Sequence, residues 1–168
     1  MGSIWGIVLD CGEDKPDSHE AYGFTNVCHA FRTEQTAFLR DVIARAAQEY
    51  AEEGVTHRLV ISHNPFSYTH AEPFDIEYGT YTEWIKLLSA HVKPHAMIAG
   101  HLHICEVRPQ GGELDSEGAI PVIVGSAPVR ENKEVVAFTG AAITLSKGHI
   151  DVAFTNDKGE VSAAHRIA

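Results

Sequence analysis

The stretch MIAGHLHICEV, Met97 to Val107, places His101 and His103 one residue apart, directly after a short apolar run and a glycine. On an extended chain, residues i and i+2 project to the same side, so both imidazoles can serve one small volume. Gly100 before them tolerates close backbone approach or an unusual φ. Alone, such a pair fits two polar side chains on a half-exposed strand as well as it fits a metal site. His63, in VISHNPF, adds a third imidazole at the end of another short apolar run. Neutral imidazole is a common ligand for zinc, iron and nickel, and carboxylates are expected to complete such a shell. The other histidines of the eleven read as surface or helix-end residues, and Cys28-His29 as a core thiol beside a surface ring or an extra ligand pair.

For three rings to meet, the segments carrying them must be neighbours. Ile4 to Asp10, Arg58 to Ile61 and Ala96 to Ala99 are short continuous apolar runs of the kind a parallel sheet buries on both faces. Between the first two, Phe38, Leu39, Val42, Ile43, Ala46, Ala47 and Tyr50 recur at helical spacing. This predicts a helix from Glu34 to Glu53, with Thr33 as N-cap and Gly54 as stop. Tyr81, Trp84, Ile85 and Leu88 predict a second helix from Thr82 to His91, with Thr80 and Glu83 at capping-box spacing and Pro94 beyond its end.

Strand, helix, strand, helix, strand is the alternation of a mainly parallel sheet, which binds ligands beyond its strand C-termini. His63 and His101 stand at two such ends. After Gly100 the runs ICEVR, IPVIVG, VVAFTGAAITL and HIDVAF, separated by turn-rich segments, predict strands joined by hairpin-type turns. The expected fold class is α/β, a parallel or mixed sheet with flanking helices and a β-rich C-terminal part, in one domain over residues 1–168.

Composition agrees with a folded domain. At 168 residues the chain can bury one full core, removing roughly 70% of its extended surface from water. Lys and Arg total 13 against 23 Asp and Glu, a formal charge of −10, which argues against nucleic acid held on a broad basic face. An anionic small substrate stays possible where bound cations supply the field. Three cysteines without paired spacing read as reduced thiols, and no apolar run approaches the ~20 residues needed to cross a bilayer. The expected location is the cytoplasm. Met1-Gly2-Ser3 reads as an added start, which leaves open a removed signal or a longer natural chain.

VISHNPF (Val60 to Phe66) followed, after a helix, by MIAGHLH (Met97 to His103) resembles the last two motifs of the calcineurin-like metallophosphoesterases: a His before a proline, then Gly-His-x-His. IVLDCGEDKPD resembles the strand and loop that often precede them. The likeness runs from Ile4 to Val107. It implies half of a four-layer sandwich, a phosphorylated small-molecule substrate, and divalent ions such as Mn, Fe or Zn. By this resemblance His63, His101 and His103 are the catalytic and metal residues, His63 and His101 on one ion and His103 on the other.

The family's earlier motifs, Asp-x-His, Gly-Asp and Gly-Asn-His, are not reproduced. The chain has no Gly-Asp and no Asn-His pair; Asp17-Ser18-His19 lies in a polar loop, and Asp10, followed by Cys11-Gly12, reads as a turn anchor. The expectation is therefore the C-terminal portion of such a domain, reduced or inactive alone, with an exposed sheet edge that favours a homodimer or association with the missing half. Three alternatives stay open. A non-catalytic metal-binding or assembly remnant would keep the fold. A histidine-triad nucleotide hydrolase would use His101 and His103 but has Cys105 in its third place. A cupin would want a Glu further downstream than Glu106.

Overall fold

The computed structural model describes residues 3–12, 14–23, 25, 28–71 and 77–168, with only the backbone of Glu52 and Glu53. Its helices are α1 (Cys28–Glu53) and α2 (Tyr78–Leu87), the latter running into a π-helical turn, Leu88–Val92. The strands are β1 (Ile4–Val8), β2 (His57–Ile61), β3 (Ala96–Ala99), β4 (Glu106–Arg108), β5 (Val122–Val124), β6 (Ala127–Glu131), β7 (Glu134–Ser146), β8 (His149–Asn156) and β9 (Val161–Ile167). They form a five-stranded sheet ordered β1-β2-β3-β5-β4 and a four-stranded sheet ordered β6-β7-β8-β9. In the first, β1, β2, β3 and β5 are parallel and β4 is antiparallel to β5; the second is antiparallel throughout. The fold is thus mixed α/β and rich in strands.

The first sheet is covered on both faces, which explains the unbroken apolar character of β3 and β5. On one face Ile7, Val60, Met97 and Val122 pack under Leu39, Val42, Trp84 and Leu88 of the helical layer. On the other, Leu59, Ala96 and Ile123 meet Ile150, Val152, Phe154 and Ile167 of the second sheet. Cover fails at β1, where Ile4 and Val8 are exposed, as is Ile61 of β2 beside them. Among the described residues the outer edge of β1 has no strand partner.

Two helix starts differ from the sequence expectation. α1 begins at Cys28, six residues before Glu34, because the Asp17 carboxylate reaches across from the preceding loop and accepts the Cys28 and His29 N–H groups at 3.0 and 3.3 Å. Thr33 lies inside the helix, its hydroxyl donating to the His29 carbonyl. α2 starts at Tyr78, not Thr82. Thr80 donates to Glu77 at 3.1 Å, while Glu83 pairs with Arg40 of α1, so the capping box does not form.

Candidate functional site

Two tight connections bring the ends of β2 and β3 together. The Ser62 N–H donates to the Ile98 carbonyl, and the Gly100 N–H donates to the His63 carbonyl at 3.0 Å. His63 and the residue just after Gly100 are therefore fixed relative to one another by backbone, not by side-chain chance. Their rings meet: His63 Nε2 and His101 Nδ1 are 3.2 Å apart, with centroids at 5.1 Å and planes near perpendicular.

The turn carrying His101 and His103 is not the extended strand the i, i+2 argument assumed. β3 stops at Ala99, and both histidines hold left-handed backbone, φ 62° and 53°. Each such residue without glycine's freedom costs about 1–2 kcal/mol, a strain typical of functional turns. Gly100 has no positive φ, and a Cβ there would meet the His63 and Gly125 carbonyls only at an ordinary 3.8 Å, so neither of the glycine properties expected from the sequence is used. His103 is exposed, and it lies close enough to His101 to act on it electrostatically.

The loop after β1 supplies a carboxylate. Asp10 closes its turn by accepting the Gly12 N–H at 2.8 Å, the anchoring role its position suggested. Arg32, 1% exposed, donates to the Cys11 carbonyl at 2.7 Å and pins this loop to α1. Asp14 follows. Its Oδ1 is taken by Lys15 at 2.6 Å and the Tyr22 hydroxyl at 3.1 Å, which leaves Oδ2 facing His101 Nε2 at 3.6 Å. That separation is too long for a direct hydrogen bond but within ion-pair range.

These contacts set protonation. Burial pushes the His101 pKa below the ordinary imidazole range; Asp14 opposes the shift, and His63, His70 and His103 reinforce it. For Asp14, burial raises the pKa, but the Lys15 and Tyr22 hydrogen bonds, the Lys15 charge and His101 outweigh it and the net direction is down. A neutral His101 with its proton on Nε2, toward the carboxylate, turns the Nδ1 lone pair to His63.

His70 joins the group, which no sequence spacing marks. Its main chain is held at both polar atoms by the Tyr78 hydroxyl, which accepts its N–H and donates to its carbonyl. Its Nε2 is buried with no hydrogen-bond partner. Burial lowers its pKa against the pull of the Pro65 carbonyl, Glu113 and Asp14. The segment that carries His70 continues into residues 72–76, which lie outside the described residues.

Other candidates have structural roles. Asp17 caps α1, His19 caps the short turn Glu20–Tyr22 through Nδ1, and His29 pairs with Glu77 at 2.6 Å. Among the described residues, no group of three or more His, Cys, Asp or Glu side chains is arranged to hold a metal ion. No helix among them is long and apolar enough to cross a membrane.

No protein-family model matches the chain, and no curated protein matches it. What the site can do is decided by its own residues.

Proposed function

We propose that the chain is a metal-dependent phosphoesterase domain, half of a four-layer metallophosphoesterase sandwich. In it His63 and His101 hold a divalent ion such as Mn, Fe or Zn, and His103 stands ready for a second. The observation that carries this reading is the 3.2 Å spacing between His63 Nε2 and His101 Nδ1. Two nitrogens sharing one zinc at 2.0–2.1 Å in tetrahedral geometry lie about 3.3 Å apart. The donor chemistry fits as well: two facing imidazole nitrogens, a carboxylate behind one of the rings, and His70, with an unpartnered Nε2, acting electrostatically on His101.

When bound, a divalent ion polarises phosphoryl oxygens and acidifies a water for attack on phosphorus. The chain's part is positioning. Asp14 Oδ2 faces His101 Nε2 at ion-pair distance and favours a proton there, the Gly100 to His63 backbone bond holds the two rings' backbones together, and the left-handed turn leaves His103 exposed beside them. The net reaction adds water across the P–O ester bond, the leaving alcohol taking a proton. With a formal charge of −10, the cation and not lysines would attract the anionic ester.

The described residues offer no third ligand grouped with the pair, which favours a second reading, a non-catalytic ion-binding or assembly module. The open edge of β1 and the exposed Ile4 and Val8 support association with a second copy of the chain. Hydrolysis of an aryl phosphate with added manganese separates the two readings. The enzyme reading expects turnover that is lost in His63→Ala; ion binding without turnover leaves the module.

A further inference from the structure

A buried polar chain joins the segment that carries His63 to the loop that carries Asp14. Ser62, directly before His63, is 5% exposed, and its hydroxyl meets the Cys11 thiol at 3.2 Å. Cys11, 1% exposed, is also hydrogen-bonded through its side chain to Tyr81 of α2, and the Tyr81 hydroxyl in turn to Arg32 of α1. Arg32 closes the chain by donating its Nε–H to the Cys11 carbonyl at 2.7 Å, while another of its nitrogens reaches Glu77 at 3.5 Å. The end of β2, α1 and α2 thus all meet on Cys11.

Burial pushes the pKa of the Cys11 thiol and of the Tyr81 phenol up, so each keeps its proton. The protons can then be assigned. Arg32 has only donors and gives one to the Tyr81 oxygen, Tyr81 gives its own to Cys11 Sγ, and the thiol hydrogen goes to Ser62 Oγ. Each of these donors has an acceptor, and a satisfied buried network rigidifies its members. What the ends of the chain carry gives it a consequence for the site. The His63 carbonyl accepts the Gly100 N–H, so a shift of Ser62 moves the ring that faces His101. Asp14 lies three residues after Cys11, and its Oδ2 faces the other nitrogen of the same His101. We propose that Tyr81 is a positioning residue for the histidine pair, acting through Cys11 and Ser62 to hold the His63 turn and the Asp14 loop at one separation about His101. Its effect on ion affinity rests on the reading that His63 and His101 share a cation; its effect on the rings does not.

Tyr81→Phe removes one oxygen and keeps the ring contacts with Phe66 and Trp84 at 6.0 and 5.6 Å. In the metal-free whole chain the imidazole nitrogen resonances of His63 and His101 should move in Tyr81→Phe and in Cys11→Ala. They should stay in place in Cys11→Ser, which keeps a donor and an acceptor. Zinc affinity by calorimetry should fall about tenfold in the first two variants, the lower end of what losing an outer partner of a metal ligand costs. Ile85→Val, further along α2, trims the same core without touching the polar chain; it should lower the melting temperature and leave resonances and affinity alone. Resonances unchanged in Tyr81→Phe, or moved as far by Ile85→Val, or moved equally by Cys11→Ser and Cys11→Ala, overturn the proposal. If the native chain binds no zinc, the shared-cation reading falls and the resonances still decide the role of Tyr81.

Discussion

His63 Nε2 and His101 Nδ1 lie 3.2 Å apart although 38 residues separate them in the chain. Neither ring is placed by its own neighbours alone. The contact exists because β2 and β3 are adjacent parallel strands and because the Gly100 N–H is tied to the His63 carbonyl. Two imidazolium ions at that distance would repel strongly, so the pair holds at most one proton between the facing nitrogens, or a cation in its place.

Asp14 acts through His101. Removing a carboxylate behind a ligating histidine ordinarily weakens metal affinity about 10- to 100-fold. Asp14→Ala is expected to fall in that range for zinc or manganese by calorimetric titration, with a modest fall in melting temperature from the lost Lys15 and Tyr22 contacts. His29→Ala, at an exposed ring paired to Glu77, serves as the control and should bind as the native chain does.

Trp84 is the anchor of the helical layer. It is fully buried, meets Phe66 edge-on at 5.4 Å, and donates its indole N–H to Thr36 Oγ1 at 2.8 Å. Trp84→Ala should cost about 3–5 kcal/mol in urea unfolding. Thr36→Val, which keeps the volume but strands the N–H, should cost about 1–3 kcal/mol. Equal losses from the two variants would show that packing is not the larger part.

Acid should weaken the fold in a defined window. Burial, joined by Arg58 and His57, lowers the pKa of His95, whose Nδ1 accepts the Arg58 N–H at 2.9 Å; burial likewise lowers His70 and His101. Below the ordinary value of about 6.5 the unfolded chain takes up protons that the folded chain refuses. Stability from these groups is complete above that pH and declines as pH falls through it toward the lowered folded values. Asp14 and Glu113, shifted down instead, lose their contribution only in the more acidic carboxylate range. Urea midpoints measured from about pH 7.5 to 5 should fall, and His95→Gln should flatten part of the slope.

Val8, 66% exposed on β1, whose outer edge has no strand partner among the described residues, tests the association of two chains. An inward charge on an open edge is a common block to strand pairing. Light scattering at micromolar concentration should give a dimer mass for the native chain and a monomer mass for Val8→Lys. A native monomer would remove the dimer from the account.

Much of the fold was legible where one local signal sufficed. The run AMIA, bounded by Pro94 and His95 before and Gly100 after, marks β3 at its observed limits, and RLVI marks all but the first residue of β2. The start of α1 was hidden because its cap, Asp17, lies 11 residues upstream of Cys28, beyond any helical period. β6 and β9 were missed because they are largely exposed and carry no apolar run. The site divides in the same way. His63 and His101 announce themselves at strand ends, whereas Asp14 and His70 reach the site along irregular loops that no periodicity describes. The left-handed backbone of His101 and His103 was also invisible, since non-glycine residues seldom adopt it.

The central claim is that His63 and His101 share one cation, and titration of zinc into the metal-free chain by calorimetry tests it most directly. The account expects one saturable site per chain, with His63→Ala and His101→Ala each weakening it at least about tenfold and the double variant little worse than either, as for two ligands of one ion. Zinc binding that is unchanged in both single variants, or absent from the native chain, would contradict it.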